Sequence, residues 1–195
     1  MFEKIRGLSL GLLLLFSLGV RADDSNAVLR DYAVQLIAPG PTASASPVAL
    51  APATAKQLKE AQTAFIARDK KYRTITIDLI KSGQMTAALA ANNDNAQFIM
   101  GSLLMAAART ESQGAELPAT GRWQDAVPKA IELWEKSAAA GNVDAQLMLA
   151  YFYAVGKNVP QDLSKARQLL EQAAAAGNEP ARRALERLSP NLSFF

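Results

Sequence analysis

Glu132 and Glu135 are the residues whose type and spacing most invite chemistry, because a pair of carboxylates can hydrolyse a glycosidic bond without help from histidine. Three residues apart they share one helix face, but Lys136 follows Glu132 by four residues, the favourable ion-pair order, and Arg182 and Glu186 have the same spacing. Such patterns describe solvated, charge-paired helix faces. The run Asn92-Asn-Asp-Asn95 offers oxygen ligands without the spacing of a calcium loop and reads as a turn between helices. The eleven glycines contain no phosphate loop or dinucleotide fingerprint and are expected at helix ends and in the N-terminal segment. The chain has no Cys and no His. That removes thiolate and Ser-His-Asp catalysis, disulfides and the commonest metal ligand. No catalytic residue, cofactor or metal is expected.

The elements that position these residues fit within 195 residues, enough for one domain or a short repeat array. Residues 1–22 read as a cleavable export signal: Glu3, Lys4 and Arg6, then an apolar run from Leu8 to Val20, then the small-residue site Val20-Arg21-Ala22. That run of about 13 residues is shorter than the roughly 20 that span a bilayer. Its removal would take Lys4, Arg6, Arg21 and Glu3, leaving 18 basic groups against 17 acidic, so the sequence pI near 9.2 belongs largely to the signal. A nearly neutral chain offers no field for phosphate neutralisation, and nucleic acid is not an expected partner. No later segment is apolar enough to span a membrane.

Residues 23–38 form a short N-terminal segment. Val28, Leu29, Tyr32 and Leu36 would share one side of a helix, while Val34 and Ile37 also permit a strand. Residues 39–54 hold four prolines among small residues and read as a linker. Residues 55–89 read as a long N-terminal helix or degenerate first repeat, capped by Thr54, carrying Leu58, Ala61, Phe65, Tyr72, Ile75 and Leu79 at helical spacing, and ended by Gly83.

An internal repeat organises the rest. Lys129–Leu149 overlies Lys165–Leu185 at an offset of 36, with eleven of 21 positions identical, and residues 90–104 overlie 139–153 at an offset of 49. The extra 13 residues fall around Thr110 to Trp123. Each unit reads as two antiparallel helices. Gly141 and Gly177, each followed by Asn, suit the left-handed backbone that ends a helix, Gly156 suits the second turn, and Asp162 is placed to cap the next helix.

The pattern Ala145, Leu149-Ala150, Tyr153, Gly156, Val159, Asp162, Lys165-Ala166, Leu170, Ala173-Ala174, Gly177 resembles the Sel1-like repeat family, a tetratricopeptide-like branch of α-solenoids. Trp134 stands at the family's aromatic position on the second helix, replaced by Leu170 in the next unit. Ala150 and Asn158 stand where the family usually has glycine. The resemblance implies an all-α fold: a short right-handed α-solenoid of helix-turn-helix repeats over residues 93–128, 129–164 and 165–188 with a C-terminal cap. Gly141, Gly156, Gly177, Ala145, Leu149, Tyr153, Trp134 and Asp162 would be its structural positions.

The first helix of each such repeat commonly lines a concave face. Leu147 and Tyr151 lie one turn apart there, with Phe98 and Ser102 as their equivalents, and Gln97 and Gln146 repeat beside them. These six, with Trp123 in the inserted loop, are the expected partner-binding residues, and Phe194-Phe195 form either a cap or a second motif. The expected function is a periplasmic, non-catalytic adaptor with a protein partner in a Gram-negative envelope. Alternatives are an immunity protein against an antibacterial effector, a glycan or peptidoglycan hydrolase using Asp and Glu, and a purely structural subunit.

Overall fold

A computed structural model describes residues 24–37, 50–112 and 125–188, so the expected signal, most of the linker, the 113–124 loop with Trp123, and the tail with Phe194-Phe195 lie outside the described residues. The described residues are all-α, an α-solenoid without strands: α1 Asp24–Ile37, α2 Pro52–Ile66, α3 Lys71–Lys81, α4 Gln84–Ala90, α5 Asp94–Ser112, α6 Ala126–Ala139, α7 Val143–Val155, α8 Leu163–Ala175 and α9 Glu179–Leu188. From α5 onward each helix packs on its successor, giving hairpins α5–α6 and α7–α8, with α9 opening a third. The repeat units therefore begin at Asp94 and Val143. The expected boundary at residue 129 falls inside α6, because the overlay at offset 36 starts in mid-helix.

One turn chemistry joins successive hairpins. Gly141 and Gly177 adopt left-handed backbone (φ 90° and 85°). The N–H of the following Asn then bonds back across the helix end, Asn142 to Ser137 O at 3.0 Å and Asn178 to Ala173 O at 3.0 Å. Each Asn opens the next helix as its N-cap, with Oδ1 accepting from Ala145 N at 3.1 Å and from Ala181 N at 2.9 Å. In the earlier copy Asn92 takes the left-handed place (φ 55°) and Asn93 the cap, accepting from Ala96 N at 3.0 Å. The residue expected to share the bend with glycine is thus the start signal of the next helix. Asp162 caps α8 as expected, accepting from Lys165 N at 2.8 Å, and Asn158 takes left-handed backbone (φ 60°) in the turn before it.

Gly101 lies in the middle of α5, not at a helix end, and of the described glycines it leaves the least room for a side chain. A Cβ there would stand 2.7 Å from Trp134 Cδ1 and 2.9 Å from Ala130 O. Trp134 fills this space completely, donates its indole N–H to Ser102 Oγ at 3.2 Å and meets Phe152 edge-on at 5.3 Å. At the equivalent positions of the next hairpin stand Ala150 and Leu170, both buried. Where the first helix adds a methyl, the second carries a smaller side chain, so the two exchanges compensate in direction across the repeat. Ala145, Leu149, Tyr153, Leu169 and Leu170 are core, as the repeat register requires.

The N-terminal region departs from expectation. The long helix over 54–83 is two helices, broken where Arg68 adopts left-handed backbone (φ 58°) and Asp69 N bonds to Ala64 O at 2.9 Å. Asp69 Oδ1 accepts from Lys71 N at 3.0 Å, supporting the start of α3. Thr54 is not the cap but a buried residue inside α2, which starts at Pro52, where the missing N–H of proline is harmless. Gly83 does end the segment (φ 72°), and it also starts α4. Residues 24–37 are helix, not strand, and Tyr32 anchors α1 through a 2.7 Å hydrogen bond with Thr86. The β-branched run at 74–77 stays helical, with Thr76 Oγ1 donating to Tyr72 O at 2.7 Å.

The Gly101–Trp134 contact predicts a change of sign. Helix propensity favours Gly101→Ala by about 1 kcal/mol, but overpacking against an indole and a backbone oxygen costs about 1–3 kcal/mol, so the variant should be less stable. With Trp134→Leu already present, which recreates the size pairing of the second hairpin, the same Gly101→Ala change should stabilise. Urea unfolding of the four proteins measures the coupling; additive effects would contradict the volume argument.

Candidate partner-binding face

On α5 the expected contact stripe is inside the protein. Phe98 is 1% exposed, and Gln97 and Ser102 are also buried. The cause is α2, which packs against α5 and sets Phe65 edge-on to Phe98 at 5.9 Å, with Tyr72 edge-on to Phe65 at 5.3 Å. Ser102 Oγ donates to Phe98 O at 2.8 Å, and Gln97 donates to Asn92 Oδ1 at 3.4 Å. A buried amide pair holds α2 in place. Gln62 donates to Asn142 Oδ1 at 3.2 Å and to Asp144 Oδ2 at 2.6 Å, and Asn142 Nδ2 returns a bond to Gln62 Oε1 at 3.0 Å and one to Asp94 Oδ2 at 3.1 Å. The start of α7, the start of α5 and the middle of α2 are tied at one point, where buried amides must find partners or lose their hydration uncompensated.

On α7 the same stripe stays partly open. Leu147 and Tyr151 are half-buried, Tyr151 meeting Phe152 edge-on at 5.8 Å. Val143 is also half-buried, and Val155, one turn beyond Tyr151, is 39% exposed, one of few large apolar side chains so placed among the described residues. Gln146 is buried and donates to Ala138 O at 3.2 Å, so of the six helix positions expected to meet a partner, only Leu147 and Tyr151 reach the surface. The sequence held the signal for this difference in Phe65, whose helical spacing marked a buried face but not what it would cover.

A polar cluster joins α6, α7 and α8 at Tyr153, which the repeat register places in the core. The ring is buried, but its OH donates to Glu135 Oε1 at 2.6 Å and accepts from Lys165 Nζ at 2.6 Å, while Lys165 also reaches Glu135 Oε1 at 3.0 Å and lies 4.2 Å from the ring centroid. Burial pushes the Glu135 carboxyl upward, but hydrogen bonds from Tyr153 and Lys165 and the ammonium charge outweigh it and hold it below its ordinary value. Burial and the neighbouring carboxylate raise Tyr153, and the bond with Tyr153, partly offset by burial and reinforced by Glu135, raises Lys165.

Glu132 is paired as its spacing suggests, with Lys136 at 2.6 Å and also Lys129 at 2.9 Å, and the Lys136 hydrogen bond leads in holding its carboxyl low. Both acids of the 132/135 pair are thus pushed toward the charged form, the reverse of what a general acid needs. Arg182 pairs with Glu179 across one turn, correcting the expected pairing with Glu186. Among the described residues no group of three acids, His or Cys could hold a metal ion, and Asn92 and Asn93 form the turn into α5, whose first residues are Asp94 and Asn95.

The family model for the Sel1 repeat matches residues 8–29, 124–142 and 143–178. The second match takes in α6, the third takes in the complete hairpin α7–α8, and the first lies mostly ahead of the described residues, on the stretch that reads as an export signal. No curated protein and no solved structure matches the chain.

The cluster around Tyr153 fixes an acid dependence. Because the Glu135 carboxyl is depressed in the folded chain, its contribution is complete above its ordinary value of 4.5 and is lost as pH falls through the folded value. Lys165 and Glu135 side chains are each 42% exposed, so solvent limits the contribution to below about 1 kcal/mol. Glu135→Gln should melt below wild type at neutral pH by no more than about 2–4 °C, with the gap closing on acidification. Circular dichroism melts at several pH values read this; an unchanged gap at low pH would contradict it.

Proposed function

The chain belongs to the Sel1-like repeat family, and on that premise we propose that it is a non-catalytic adaptor of the Gram-negative periplasm that grips a protein partner on the first-helix face of its repeat array. Sel1 repeats are in general protein-interaction modules, which supports a protein partner. The observation that carries the finer reading is the unequal covering of one stripe: α2 seals it on α5, and nothing among the described residues seals Leu147, Tyr151 and Val155 on α7. An apolar stripe left beside a rigid, fully packed helix offers contact area at little ordering cost.

The compartment is supported by the apolar run of residues 8–20 with its charged start and small-residue end. No helix among the described residues is long and apolar enough to cross a membrane. The depressed carboxyls of Glu132 and Glu135 support a binding role over hydrolysis.

Chain beginning at residue 23, immobilised and exposed to envelope extract, should capture a defined set of proteins. Leu147→Ala with Tyr151→Ala should reduce that capture at least tenfold while the melting temperature shifts by only a few degrees. Equal capture by the variant and wild type would overturn the assignment of this face.

A further inference from the structure

The stripe on the first helix of each repeat changes chemistry along the array. The offsets of 49 and 36 align Phe98, Leu147 and Arg183 at one position and Ser102, Tyr151 and Arg187 at the next turn. Burial confirms the register, since Ala96, Ala145 and Ala181 are all buried, as are Ile99, Met148 and Ala184. The stripe is therefore apolar and sealed on α5, apolar and half-open on α7, and cationic and exposed on α9.

Arg183 and Arg187 make no ion pair among the described residues, whereas Arg182 beside them is held by Glu179. Two like charges one turn apart repel, and in this helix neither is offset by a bonded acid.

The protein already shows what covers such a stripe. Over α5 it is a helix, α2, which inserts Phe65 against Phe98 and reaches across to the start of α7 with Gln62. Ile66 follows Gln62 by one turn of α2 and is itself 38% exposed.

We infer that the partner presents an acidic amphipathic helix, seated on α7 with its apolar side on Leu147, Tyr151 and Val155 and with Asp or Glu residues one turn apart on Arg183 and Arg187. This rests on the adaptor reading and specifies the partner's chemistry. Helix-in-groove recognition uses anchors at the same three- and four-residue spacing that α2 uses on α5. Charge complementarity at the α9 end fixes the direction and register of the bound helix, because the apolar stripe alone admits either direction.

Photo-crosslinking residues placed singly at Tyr151 and at Arg187 of the full-length chain, in the cells that produce it, identify the occupant by peptide mapping. Both positions should crosslink one segment with helical apolar spacing and acids one turn apart. Arg183→Glu with Arg187→Glu should cut the Tyr151 crosslink at least tenfold, and changing the mapped acids to Lys should restore it. A neutral or basic segment, a second copy of this chain, its own residues 189–195, or indifference to charge reversal would overturn the acidic helix while leaving the binding face standing. No crosslink from either position would overturn both.

Discussion

The close approach of Gly101 on α5 to Trp134 on α6 sets the geometry on which the remainder rests. A glycine is required because the indole and the carbonyl of Ala130 leave no room for a Cβ. Trp134 in turn reaches Ser102 and Phe152, so one side chain fixes the spacing of α5, α6 and α7. With that spacing set, the left-handed turns and asparagine caps hand the chain from one hairpin to the next. The first helices then stand in register, and positions four residues apart on successive helices become a surface with its own pattern.

That surface is shaped as much by the N-terminal helices as by the repeats. The buried amide pair of Gln62 and Asn142 is bonded on both sides and shared with Asp94 and Asp144. Removing the Asn142 amide would leave Gln62 Oε1 without this bond away from water, so α2 is fixed where it lies rather than loosely laid on the repeats. Its seat divides one stripe into a sealed apolar part, a half-open apolar part and an exposed cationic part. The part of the stripe left uncovered by α2 therefore lies on α7 and α9.

Much of the fold was legible in the residues. The glycines and caps that recur in the repeat mark the helix ends, and Gly141, Gly177, Gly156 and Asp162 do what their types imply, because turn and cap chemistry is local. Less legible were facts that depend on what lies opposite. Gly101 passes for an ordinary helix residue until Trp134 is brought against it, although the paired exchange with Ala150 and Leu170 was present in the overlay. Phe98 and Leu147 occupy the same repeat position and differ only in whether α2 covers them, which no local pattern encodes. The break at Arg68 was hidden for a related reason: arginine gives no turn signal, and the left-handed backbone there is held by the bond from Asp69 N to Ala64 O.

One stripe is closed on α5 by the chain's own helix and half-open on α7, where the proposed partner would sit. Hydroxyl-radical footprinting of side chains, with and without the captured partner, tests it directly. Tyr151 and Leu147 should be oxidised in the free chain and protected in the complex, while Phe98 stays unreactive in both. Oxidation of Phe98 in the folded free chain, or labelling of Tyr151 that is unchanged by the partner, would contradict the account.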